Sequence, residues 1–345
     1  MTPGPSQAPT RTGILATGNW IIDHVKIVDR FPEQDALATI LSESRGTGGS
    51  PYNLLVDLAK LGAHFPLEAA GLVGDDPDGH SILADCRALG IDASRMHTTA
   101  AAGTSYTDVI TVRDTGRRTF FHYRGANALL GEEHINLPSS RASIFHLGYV
   151  LLLDRLDELA PDGTTGAARL LRHARDLGFR TSLDVVSEDS DRFAAVVTPA
   201  LPHVDFLFVN EFEAGRCTGV AVNADGKVSF ERLAEAARRL LAAGVREWVV
   251  IHCPEGALAR HAGGAEAVHG SVRVPAARIA GTAGAGDAFA AGMLLGLHDG
   301  RAIDACLRMA ACAAAASLSH PTCTEGTLPL PECLRLGDEL GFRTP

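Results

Sequence analysis

From residue 141 onward, short apolar runs alternate with segments of helical period, which leaves few architectures open to the chain. Residues 143–147, 180–184, 205–209 and 247–252 read as buried strands. Residues 164–177 and 229–243, and further on 285–297 and 302–318, read as helices. Strand and helix in turn predict an α/β fold with a doubly wound, mostly parallel sheet, whose ligands sit at the carboxyl ends of the strands.

The first third has a different texture. Residues 13–18 read as a strand, and residues 51–61 as a helix opened by a glycine-rich turn. Residues 25–45 are polar and extended, with alternation at 38–42. A second extended region covers 104–112 and 118–123, split by the hairpin turn Asp114-Thr115-Gly116. Neither region can bury two faces, so they are expected to form a small β-sheet lid from about 24–46 and 103–125. The expected organisation is a tail over residues 1–12 that is disordered, followed by one domain over 13–340.

The net formal charge is −10, with no lysine- and arginine-rich run, which argues against a partner such as nucleic acid. An anionic ligand then has to be held by backbone N–H groups or a metal. The seven cysteines are scattered and never paired as CxxC, as in a reduced, cytoplasmic protein. The first dozen residues lack the apolar stretch of a signal peptide, and the apolar runs stop short of a membrane span.

The stretch GTAGAGDAFAAG at 281–292 carries the most chemistry. Small residues let backbone approach a ligand, and the following helix aims unpaired N–H groups and its positive dipole end at that point. Phosphoryl transfer needs fixed donors where charge builds on the phosphate oxygens. An aspartate at the same helix start, Asp287, can accept a proton from an attacking hydroxyl. A glycine-rich helix start capped by an aspartate shows the same pattern.

This stretch resembles the second signature of the ribokinase-like (PfkB-type) carbohydrate kinases. The first signature is visible as Gly48-Gly49-Ser50-Pro51-Tyr52-Asn53, running into Leu58-Ala59-Lys60-Leu61-Gly62. Further matches in family order are Gly18-Asn19 with Asp23, residues 71–76 (GLVGDD), Gly125-Ala126-Asn127, and Asn210-Glu211-Phe212-Glu213. The resemblance spans roughly residues 13–330. It implies an ATP-dependent kinase with a ribokinase-like fold, Asp287 as general base, and an anion hole at Gly284, Ala285 and Gly286 with the N–H of Asp287. It implies sugar binding by Asp23, Gly48, Gly49 and Asn53, and nucleotide contacts from Asn210, Glu213, Gly256 and Thr282. Asn210 and Glu213 would hold Mg²⁺, through water. The same two residues also suit an N-cap and a first-turn carboxylate of a helix. The lid would close over the sugar and exclude water, and members pair through it as homodimers. Phe120, Phe121 and Tyr123 are candidates for its inner face, and Arg124 for a substrate or phosphate contact.

The chain departs from the family pattern at named places. Gly281 replaces an aspartate that serves as a ligand in members binding a monovalent cation, which puts potassium activation in doubt. Cys253 stands where a glycine is common, Ile21 where ribose-phosphorylating members carry an asparagine, and Asp184-Val185-Val186-Ser187-Glu188 lacks the arginine found in sugar-acid kinases. The leading expectation is a kinase acting on a monosaccharide. A nucleoside kinase with the same signatures and a catalytically silent sugar- or nucleotide-binding regulator are the alternatives.

Overall fold

The computed structural model describes residues 11–188, 190–224 and 227–345. Of the tail over residues 1–12, residues 1–10 lie outside the described residues. Arg11 and Thr12 depart from that expectation, because both are tied to the body. Arg11 donates to the carbonyls of Ser140 and Ala142 and lies over the Phe179 ring, and the Thr12 N–H donates to Arg141 O.

A nine-stranded sheet forms the centre. Its strand order is Glu266–Gly270, Gly256–His261, Trp248–Cys253, Phe206–Asn210, Arg180–Val185, Ile144–Val150, Ile14–Gly18, Leu67–Gly74 and Asp92–Thr99. The first two run antiparallel at one edge, and the others are parallel. This is the doubly wound sheet expected from the alternation; of the four strands read in the second half, three end within one residue of the reading, and Ile144–Val150 runs three residues past it. The antiparallel edge and the two strands at the far side had no comparable signal.

Strand periodicity sends alternate residues to opposite faces. Ile14 and Ala16 join a core with the helices Ser50–Leu61, Ala285–His298 and Ile303–Ser317, whereas Leu15 faces a second core with Gly166–Asp176 and Phe230–Ala242. Burial of both faces keeps the sheet rigid, so its carboxyl ends are fixed points. Chain order reverses beside Ile14–Gly18, between its neighbours Ile144–Val150 and Leu67–Gly74. A crevice forms at such a reversal.

A separate four-stranded sheet has the order Ile40–Gly48, Ile21–Val28, Tyr106–Val112 and Arg118–Tyr123. Its register places Gly46, Asp23, Thr107 and His122 in one row across the strands. Two residues on, the row is Ser44, Val25, Val109 and Phe120. The next contains Ser42, Ile27, Thr111 and Arg118. Asp23, Thr107, His122, Val25, Val109, Phe120 and Arg118 all line one large cavity shared with the carboxyl ends of the main sheet.

Candidate active site

The cavity has a volume of about 1300 Å³, ample for a nucleotide and a small acceptor together. At its floor is the start of the helix Ala285–His298. Gly284 caps it in the left-handed region at φ 77°, and a Cβ there would lie 2.3 Å from the carbonyl oxygen of Cys323. Only glycine satisfies both conditions. The Ala285 N–H turns toward Thr282 O at 3.4 Å. The amides of Gly286 and Asp287 lie in the first turn, where a helix offers no internal acceptor. The ring of His252 lies beside the turn, within 3.6 Å of a Cβ built at Gly286, and burial depresses its pKa to about 4, so it is neutral there.

Asp287 is buried, with 4% of its surface exposed. Asn53 Nδ2 donates to Oδ2 at 2.8 Å, and the Tyr149 hydroxyl reaches both carboxylate oxygens at 3.1 and 3.2 Å. Burial, then the negative charge of Asp184 and to a lesser degree that of Asp23, push its pKa up to about 8, against the two hydrogen bonds. Asn53 stands in the first turn of the helix Ser50–Leu61, after Gly49. Gly49 has φ 92°, and a Cβ there would lie 1.9 Å from Asn19 O.

Tyr149 had no sequence signal. The strand Ile144–Val150 shifts register between Leu147 and Val150, and Tyr149 takes φ 55°, a conformation disfavoured by roughly 1–2 kcal/mol for an L residue. Its N–H donates to Asp184 Oδ1 at 2.7 Å, and Asp184 Oδ2 accepts from Ser50 Oγ at 2.7 Å. Asp184 therefore pins a strained backbone that delivers the phenol to Asp287. Strain of this kind gathers at functional sites.

Several buried polar atoms in this cavity have no hydrogen-bond partner among the described residues. They are both side-chain atoms of Asn19, Asn53 Oδ1 and His122 Nε2. All three residues line the cavity. His122 Nδ1 meets Thr107 Oγ1 at 2.9 Å, which leaves Nε2 for a ligand. Asp23 joins them from the same row, its pKa raised to about 6 by burial, with Cys323 Sγ 3.8 Å from Oδ2. Neither Asn19 nor His122 was assigned a role from the sequence. Asn19 was legible as part of the Gly18-Asn19 match, whereas His122 becomes significant only through strand register.

The aromatic residues of the small sheet are divided by the pleat. Phe120 lines the cavity, whereas Tyr123 stacks on Tyr106 at 5.2 Å and Phe121 is on the opposite face. The three cannot share one face, because successive strand residues point apart. Arg124 is committed to Asp154 Oδ1 at 2.7 Å and Glu188 Oε1 at 3.2 Å.

Asn210 and Glu213 form the capping box of the helix Glu211–Thr218. Glu213 Oε2 accepts from the Asn210 N–H at 2.9 Å, and Oε1 accepts from Ser187 Oγ at 2.7 Å and Asn210 Nδ2 at 2.9 Å. Burial pushes its pKa up to about 8, and Asp184 and Glu211 add to the shift. Among the described residues no three His, Cys, Asp or Glu side chains could hold a metal ion by themselves. The engaged oxygens and the crowding of negative charge suit a hydrated cation arriving on a ligand better than direct coordination. Thr282 and Gly256 also line the cavity, the latter in the hairpin where Cys253 pairs with it.

Residues 11–330 match the pfkB family carbohydrate kinase. The chain belongs to that family. Its members are phosphotransferases acting on sugars, and this chain is one of them. It is 29% identical over 281 residues to an ATP-dependent ribose-1-phosphate kinase of Halopiger xanaduensis, covering 81% of this chain and 83% of that protein. It is 25% identical over 305 residues to a ribokinase of Arabidopsis thaliana, covering 87% and 74%. The structure of Arabidopsis thaliana ribokinase complexed with ribose and ATP superposes with a TM-score of 0.75 at 21% identity, covering 95% of this chain and 98% of that one. Among the described residues, no helix is long and apolar enough to cross a membrane.

Proposed function

We propose that this pfkB family member transfers the γ-phosphoryl group of ATP to a hydroxyl of a monosaccharide, with Asp287 as the general base. The observation that carries the reading is the set of polar atoms on Asn19, Asn53 and His122, unpartnered among the described residues, lining the cavity that holds a buried carboxylate. A ligand bearing several hydroxyls satisfies alternating donors and acceptors of this kind, and leaving them bare in a buried site costs roughly 1–3 kcal/mol each.

In this reading Asp23, Gly48, Gly49 and Asn53, with Asn19 and His122, hold the acceptor so that one hydroxyl reaches Asp287. Asp287 takes the proton as that oxygen attacks phosphorus. The Gly284 turn brings the amides of Gly286 and Asp287 to the transferred phosphate, with Ala285 joining as its contact to Thr282 opens. Asn210, Glu213, Gly256 and Thr282 serve the nucleotide side. Mg²⁺, bound with ATP, would neutralise charge on the phosphates, and Asn210 and Glu213 would hold it through water. The four-stranded sheet acts as the lid. Its apolar row of Val25, Val109 and Phe120 keeps water from the phosphate, which water would otherwise accept.

The deciding experiment is a panel of pentoses, ketohexoses and nucleosides, with release of ADP as the readout. Turnover on a monosaccharide at least tenfold above any nucleoside is the expected result. Preference for a nucleoside would replace the acceptor assignment, and sugar binding without ADP release would mark a silent regulator. The metal assignment has its own test. Glu213→Gln retains an acceptor for the Asn210 N–H, so the helix start survives. The Mg²⁺ concentration for half-maximal turnover should rise severalfold in this variant, and an unchanged requirement removes Glu213 from that role.

A further inference from the structure

The arginine at the tip of the small sheet meets the segment that leads into the Gly284 turn. Arg118 lies in the outermost cavity-facing row, and its Nη2 would be 3.2 Å from a Cβ built on Gly281. That Cβ would also lie 2.8 Å from Pro321 Cα and 3.0 Å from His320 O. Gly281 is buried, so backbone and guanidinium together already fill the space that a side chain at 281 would need. A carboxylate supplying a monovalent cation ligand is absent and has no room, so these residues do not fit such an ion.

The charges in the cavity single out the same residue. Asp23, Asp184, Glu188, Glu211, Glu213 and Asp287 line it, whereas no lysine does. Of the lining arginines, Arg45 pairs with Asp78, Arg124 is bound to Asp154 and Glu188, and Arg343 is exposed near the carboxyl terminus. Arg118 is half-buried and makes no ion pair or side-chain hydrogen bond among the described residues. A guanidinium without an ion-pair partner among the described residues, beside Gly281 in the segment that leads into a helix start, has the chemistry of a phosphate ligand.

We propose that Arg118 supplies, from the small sheet, the positive charge beside the Gly284 turn, so that the nucleotide phosphates are held without a monovalent cation. The proposal rests on the kinase reading for its catalytic consequence, but not for its binding consequence. Stabilisation of the phosphate is then coupled to closure of the sheet, because the cation rides on the element that covers the acceptor. Turnover in the absence of closure, including transfer to water, is suppressed by the same device.

The test measures affinity for Mg²⁺ and a non-hydrolysable ATP analogue by calorimetry on the full chain, in potassium-free buffer and at matched ionic strength with KCl. For Arg118→Gln the affinity should fall by more than threefold, on the order of tenfold, as for loss of a charge-assisted contact. Potassium should change the wild-type affinity by less than threefold. A variant within threefold of wild type overturns the proposal, as does a gain of threefold or more on adding potassium. With the acceptor found by the panel, Arg118→Ala should lose turnover and regain part of it with added guanidinium ion. A mere packing defect would show no such rescue, and its absence also overturns the proposal. Failure of the panel itself is read separately, as no release of ADP by the wild type.

Discussion

Asp287→Asn is expected to lower kcat by a factor on the order of 10² or more, the loss typical of a removed general base. The substitution conserves shape in a site where only 4% of the residue is exposed. The new amide can turn its oxygen toward Asn53 Nδ2, which now donates at 2.8 Å, and present its nitrogen to the Tyr149 hydroxyl. Acceptor binding should therefore change little, and the loss should appear in kcat. Thermal unfolding separates chemistry from folding. The folded carboxyl titrates near 8, above its unfolded value, so stability is lost as pH rises from about 4 through about 8. A neutral amide escapes this loss, and at pH 8 the variant should melt no lower than the wild type. Turnover within tenfold of wild type would remove Asp287 as the base.

The second large effect is in pH. A carboxyl with an ordinary pKa near 4 is fully ionised above pH 6 and gives a flat profile there. Asp287 is raised to about 8 by burial and by Asp184, with Asp23 adding. Asp57, itself raised well above the usual range by burial, and the Cys323 thiol, likewise raised by burial, lie close enough to interact with its charge. Asp287 is thus predominantly protonated at pH 6. The value of kcat/KM for ATP, which reports the protein before the nucleotide binds, should rise roughly 50-fold between pH 6 and pH 8. Tyr149→Phe removes a donor that favours the ionised form, so its acid limb should move to higher pH. A flat profile over this range would show that the carboxyl is not held in the buried, electronegative surroundings described.

Legibility differed between parts of the site for physical reasons. The Gly284–Asp287 turn was readable because backbone approach to an anion admits few residue types, and those types are adjacent in the chain. Asn53 followed from a second local turn of the same kind. Asn210 and Glu213 were readable as two things at once, and their capping box is the arrangement the structure displays. Tyr149 was hidden because its role comes from a register shift and a φ of 55°, neither of which leaves a mark in the sequence. His122 and Arg118 were hidden differently. They sit in strand Arg118–Tyr123, and only its pairing with Tyr106–Val112 shows that they share a face with Phe120 and not with Phe121.

The sequence by itself determined the layered α/β class, the family, the glycine-rich turn and the identity of the buried carboxylate at its end. Those features depend on local periodicity and on short motifs whose residues act as neighbours in the chain. The tertiary structure alone decided which groups surround Asp287 and how they shift its proton affinity. It also showed that the space beside Gly281 is filled by Pro321, His320 and Arg118. Desolvation and charge coupling are sums over groups distant in sequence, such as Asn53, Tyr149 and Asp184, and exist only after the strands and helices have packed.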